Sequence, residues 1–114
     1  GQAVQRARET KGATFQWPDP AFDYQHAQAP SLPAQPHSFA VGWHWRITNT
    51  PDGIPRLGLD ANHLNVRGCY LAGCVWYETL SGLDVTEVSC VPDGMDADDA
   101  AWLRCIAHET VGQG

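Results

Sequence analysis

The sequence predicts an α/β fold of short strands and two helices, and three stretches carry that expectation. Phe39 to Ile47 alternates: Phe39, Val41, Trp43, Trp45 and Ile47 fall on one side, and Ala40, Gly42, His44 and Arg46 on the other. That period of two is a strand pattern. Val66 to Leu80 is apolar on nearly all sides, with only Arg67, Glu78 and Thr79 clearly polar. It reads as a helix that must be covered on several faces. Residues 97–112 read as a terminal helix with Trp102, Leu103, Ile106 and Cys105 on its buried face.

Each element has local signals at its ends. Thr50-Pro51-Asp52-Gly53 is a turn, with Pro placed for its second position and Gly for its end. Ile54 to Leu59 reads as a second short strand, weakened by Pro55. Asn65 is the N-cap of the apolar helix, and Ser81-Gly82 its stop. Val85 to Val91 is a short edge strand or a loop, and Pro92-Asp93-Gly94 turns the chain. Asp96 caps the last helix, with Asp98 and Asp99 in its first turn, where the helix dipole favours negative charge.

The rest of the chain is less regular. Residues 2–11 are polar, as at the solvated end of a helix, and Gly12 to Phe15 reads as a short strand. Residues 17–38 hold five of the eight prolines, so this part is expected to be an extended surface excursion. Its aromatic residues, Trp17, Phe22 and Tyr24, argue that it lies against a body. An almost wholly apolar helix needs more cover than two short strands and one further helix provide. Residues 1–114 are therefore expected to form a single partial domain, with part of the covering body upstream. The start at Gly1 without an initiator Met reads as a fragment or a processed product.

Composition excludes some functions. Hydrophobic residues make up 43% and charged residues 18%, a globular balance. The net charge is −6 and the seven basic residues form no cluster, which argues against a nucleic-acid partner. No run of about 18 apolar residues exists to span a membrane. The first twelve residues lack an apolar signal core. Compartment stays open, with a secreted or periplasmic setting favoured over the cytoplasm. The four cysteines, Cys69, Cys74, Cys90 and Cys105, contain no C-x-x-C pair, so no metal site and no cofactor is expected. Cys69 and Cys74 point about 140° apart on one helix and cannot bridge. Cys90 and Cys105 flank a turn and a helix, where either a disulfide or buried free thiols is possible.

The chemistry centres on Asp60-Ala61-Asn62-His63. An imidazole with a pKa near 6.5 is the usual base for activating a hydroxyl. It works best when a carboxylate holds one ring nitrogen and fixes the tautomer. The plainer reading is that Asp60 caps a turn and His63 bonds locally. With nine Asp and five His in the chain, this spacing arises by chance, so it needs context.

The context is the string D-x-x-H-L-x-x-x-G-x-Y-L over Asp60, His63, Leu64, Gly68, Tyr70 and Leu71. It resembles the terminal catalytic block of SGNH (GDSL-like) hydrolases, most of all uncharacterised SGNH-like families with this block. The resemblance extends over about residues 12 to 112, with W-P-D-P at Trp17–Pro20 and H-S-F-A-V-G-W-H-W at His37–Trp45, but its specificity lies in 60 to 80. It implies a flavodoxin-like three-layer fold of which this chain is the C-terminal portion. It implies that Asp60 orients His63, that His63 is the general base, that Asn65 caps the following helix and that Gly68 allows close packing of its first turn. In such enzymes a serine in a G-D-S block attacks an ester carbonyl, and two further blocks bind the oxyanion. This chain has no G-D-S; its serines are Ser31, Ser38, Ser81 and Ser89, none in a nucleophile setting. The nucleophile and oxyanion groups are expected upstream, and these 114 residues alone are expected to be inactive.

Trp43 and Trp45 read first as core or domain-contact residues. Their functional reading is an aromatic wall for a sugar or acyl group, with His44 on the opposite face toward solvent or substrate. His108 and Glu109 read as a solvated helix face. Two classes of function follow. One is a serine ester hydrolase acting on a small-molecule or carbohydrate ester, completed by the remainder of the hydrolase domain. The other is a non-catalytic Trp-rich binding module or an inactive hydrolase relative.

Overall fold

A computed structural model describes residues 2–11, 19–35, 38–47 and 50–113. Helix α1, Gln2–Lys11, is followed by strands β1, Ala40–Arg46, and β2, Arg56–Leu64. Helix α2, Val66–Ser81, a 3-10 turn at Val85–Glu87 and helix α3, Ala97–Gln113, complete the order. The strands form one antiparallel two-stranded sheet, so the protein is mixed α and β, with three α-helices among the described residues. None of its described helices is long and apolar enough to cross a membrane.

The helices begin and end where their chemistry dictates. Asn65 Oδ1 accepts the Gly68 N–H at 2.9 Å, which satisfies one of the orphan donors of the first turn. Gly82 ends α2 with φ +72°, a left-handed conformation that suits glycine, and its N–H reaches the Glu78 carbonyl. Asp96 Oδ1 accepts the Asp98 N–H at 2.7 Å at the start of α3.

The core lies between α2 and α3, with α1 against its flank. Ala7, Phe39, Leu71, Cys74, Val85, Leu103, Ile106 and Ala107 form one buried cluster. Arg67 ties the two long helices at their starts, donating to Asp99 at 2.6 and 2.8 Å, and its guanidinium stacks 4.7 Å from the Phe39 ring centroid. α2 buries only Gly68, Leu71, Cys74 and Glu78, while Trp76 and Leu80 are 67% and 77% exposed. The apolar face that the sequence says needs cover is thus bare over its second half.

The described part of the proline-rich excursion, residues 19–35, is stitched to β1. Tyr24 meets Trp43 at 5.0 Å between ring centroids, and the Trp45 indole N–H donates to the Ser31 carbonyl at 2.7 Å. The Gln35 amide accepts the Trp43 N–H at 2.8 Å and donates to the Trp43 carbonyl at 3.2 Å. One side chain thereby occupies the outer edge of β1 as a neighbouring strand would.

Several expectations are corrected. Residues 2–11 are not merely a solvated helix end, because Ala7 is fully buried. The second strand runs from Arg56 to Leu64, past the expected end at Leu59, so Asp60 and His63 belong to a strand and not to a free loop. The even alternation of 39–47 breaks at Gly42, whose φ is +72° and where the pairing register shifts. Of the two alternatives for Val85 to Val91, the loop holds and the edge strand does not: its first three residues form the 3-10 turn, with Asp84 as cap. The Cys90–Cys105 disulfide is absent, and the buried-thiol alternative fails there too: all four cysteines are free and only Cys74 is buried. The strand expected at Gly12 to Phe15 lies outside the described residues, as do Trp17 and His37.

Candidate functional site

The register of the hairpin shows how Asp60 and His63 are placed. Gly42 pairs with Asp60 and Ala40 with Leu64. Two steps along β1 therefore face four steps along β2, and residues 61–63 bulge out of the ladder. Bulges of this kind re-aim side chains at the margin of a sheet. The bulge is held by the Asp60 carboxylate. Its Oδ1 accepts the N–H groups of Asn62 and His63, both at 3.0 Å. Its Oδ2 lies 2.8 Å from His63 Nδ1. The backbone N–H groups of His63 and then Asn62 are the main cause that holds the Asp60 carboxyl below the usual carboxylate range, and the imidazole adds to them.

An ionised carboxylate is only an acceptor, so His63 Nδ1 carries the proton in this contact. Nε2 is then the basic nitrogen, and among the described residues it forms no hydrogen bond. The His63 side chain is 81% exposed, against 25% for Asp60. A partly buried carboxylate thus braces a ring that stands in solvent.

The junction behind the bulge is rigid. The Asn65 N–H donates to the Phe39 carbonyl at 3.1 Å, and its side-chain amide donates to the Ser38 carbonyl at 2.7 Å. Gly68 lies so close that an added Cβ would run into the Phe39 carbonyl oxygen and crowd Leu64 at 2.9 and 3.0 Å. Only glycine lets the first turn of α2 approach the end of β2 this closely.

The other expected site residues divide between the two faces of the hairpin. Trp43 pairs with Leu59 and Trp45 with Leu57, so both tryptophans lie on the face away from Asp60, toward the proline-rich excursion. They do not wall the His63 bulge. His44 pairs with Gly58 and shares the face of Asp60. Its Nδ1 lies 3.1 Å from the Gly42 carbonyl, and the residue is half-buried. His44, Trp45, Arg46 and Arg56 help line an open cleft of about 800 Å³ at the far, turn end of the hairpin.

Two arrangements were not expected from the sequence. Asp23-Tyr24-Gln25-His26 repeats the D-x-x-H spacing inside the proline-rich excursion. Asp23 Oδ1 accepts the N–H groups of Gln25 at 3.0 Å and His26 at 3.1 Å, and Asp23 Oδ2 lies 3.0 Å from His26 Nδ1. The spacing itself was the available signal. The second is Glu78, His108 and Asp84. His108 lies on an exposed helix face, as expected, but its Nδ1 is 2.7 Å from Glu78 Oε1 and 3.3 Å from Asp84 Oδ1.

No protein-family model, no curated protein and no solved structure matches the chain.

Proposed function

We propose that this chain supplies the base dyad of a serine ester hydrolase of SGNH type, with a carbohydrate or other small ester as substrate. In this reading His63 Nε2 takes the proton of a serine hydroxyl while Asp60 steadies the imidazolium that forms. The serine and the oxyanion donors come from a stretch outside these 114 residues, since the chain contains no G-D-S. The flavodoxin-like three-layer arrangement belongs to the same proposal: the remainder of the domain covers the bare half of α2. The supporting observation is the bulge in β2, which holds Nδ1 of an exposed imidazole 2.8 Å from a carboxylate and leaves Nε2 outward.

One observation favours the second class, an inactive relative or Trp-rich module. The Asp23–His26 pair has nearly the same local geometry without any strand, bulge or helix cap behind it. Local hydrogen bonding alone can therefore build such a pair.

Hydrolysis of a short acyl ester by the complete protein separates the readings. Turnover by the complete protein, with none from the 114-residue chain, is expected. A serine-reactive phosphonate that labels the isolated chain at Ser31, Ser38, Ser81 or Ser89 would contradict the assignment, as would a complete protein that hydrolyses no ester.

A further inference from the structure

We propose that Glu78, Asp84 and His108 form a binding site for a first-row divalent metal ion, a site independent of the Asp60–His63 dyad. The three residues come from three different elements: the last turns of α2, the cap of the 3-10 turn and the C-terminal half of α3. One ligand atom from each falls within 4.8 Å of the other two. Around a cation with bonds of about 2.0–2.2 Å, neighbouring ligand atoms stand about 3 Å apart. The 2.7 and 3.3 Å separations from His108 Nδ1 lie near that spacing, and the Glu78 and Asp84 oxygens, within 4.8 Å of each other, draw together around the cation.

The carboxylates are already oriented by other donors. Glu78 Oε1 accepts the Val85 N–H at 3.0 Å, and the residue is 8% exposed. Asp84 Oδ1 accepts the Thr86 N–H at 2.9 Å and the Thr86 hydroxyl at 2.6 Å. Such outer hydrogen bonds fix ligands in metal sites and raise their affinity. One imidazole nitrogen with two carboxylate oxygens is a donor set for zinc or manganese more than for copper(I), and it leaves open positions for water.

His108 Nδ1 faces the Glu78 and Asp84 oxygens, so the three ligand atoms converge on one place. A cation bound there takes the Nδ1 lone pair and displaces to solvent any proton that Nδ1 carries. The net charge of −6 also favours cation capture.

The test is a titration of the chelator-stripped, reduced protein with Co²⁺, followed by visible absorption and by the paramagnetic shifts of the histidine ring signals. One equivalent is expected to bind, with the His108 ring shifted and those of His26, His44 and His63 unmoved. H108A and D84N should each weaken binding by at least about 100-fold, the upper end of what outer-shell changes cost. H108Q keeps a donor to Glu78 and so preserves the fold, and it must weaken binding equally. Sulfur-to-cobalt charge-transfer bands, shifts at His26 or His63 in place of His108, or no saturable binding would each overturn the site.

Discussion

Two pairs of identical spacing, Asp60–His63 and Asp23–His26, differ in what stands behind them. Both carboxylates take two backbone N–H groups on one oxygen and an imidazole on the other. Both rings are open, 81% exposed for His63 and 80% for His26. The carboxylates part company: Asp60 is 25% exposed and Asp23 63%. Asp60 sits in a strand, opposite Gly42, five residues before the Asn65 cap of a helix that Gly68 lets approach. Asp23 sits in a turn of the excursion, anchored mainly through Tyr24 on Trp43. The lesson is that four residues suffice to make the hydrogen bonds, and the tertiary frame decides whether a partner group can meet the ring at a fixed place.

The largest expected difference is catalytic. In the complete protein, His63→Ala should lower kcat by at least about 10²-fold, the usual worth of a general base. His26→Ala should leave kcat unchanged. Equal losses, or none in either, would erase the distinction between the pairs.

Stability should sharpen it next. Gly68→Ala forces a Cβ against the Phe39 carbonyl and Leu64, and should cost about 3 kcal/mol, more than the helix propensity that alanine returns. Tyr24→Ala removes two ring contacts, to Phe22 and Trp43, and the acceptor of the Asp19 N–H, and should cost about 1 kcal/mol. Denaturant unfolding of the two variants measures both. A Gly68→Ala loss no larger than that of Tyr24→Ala would mean that the junction behind His63 is not tightly held.

The smallest effect concerns titration. For Asp23 the His26 side chain is the first cause of the lowered pKa, whereas for Asp60 it is the backbone N–H of His63. His26→Ala should therefore move Asp23 back toward 3.8 further than His63→Ala moves Asp60, as followed by carboxyl NMR shifts. Because both folded values are lowered, their stabilising contribution is present above pH 3.8 and is lost as the pH falls through the folded values. His108 has the opposite sign: its folded value is raised, so its contribution is full below 6.5 and is lost as the pH rises through the folded value.

The sequence makes α2 and α3 legible because Asn65, Gly82 and Asp96 punctuate apolar runs, and these signals act within one turn. It misses the extension of β2, because Asp60 to His63 are polar and their place in the ladder depends on a register shift opposite Gly42. The face of Trp43 and Trp45 is settled by Tyr24 and Ser31, residues of a different segment. Glu78 and His108 are 30 residues apart, and only the packing of α2 on α3 brings them together. The Asp60–His63 contact is legible since three residues of spacing set it, and for the same reason the spacing could not rank it above Asp23–His26.

Labelling of the complete protein with a serine-reactive phosphonate tests most directly whether the His63 ring serves a hydroxyl. A single labelled serine outside these 114 residues is predicted, with labelling that collapses in His63→Ala and persists in His26→Ala. No labelled serine, or a label indifferent to His63, would contradict the account.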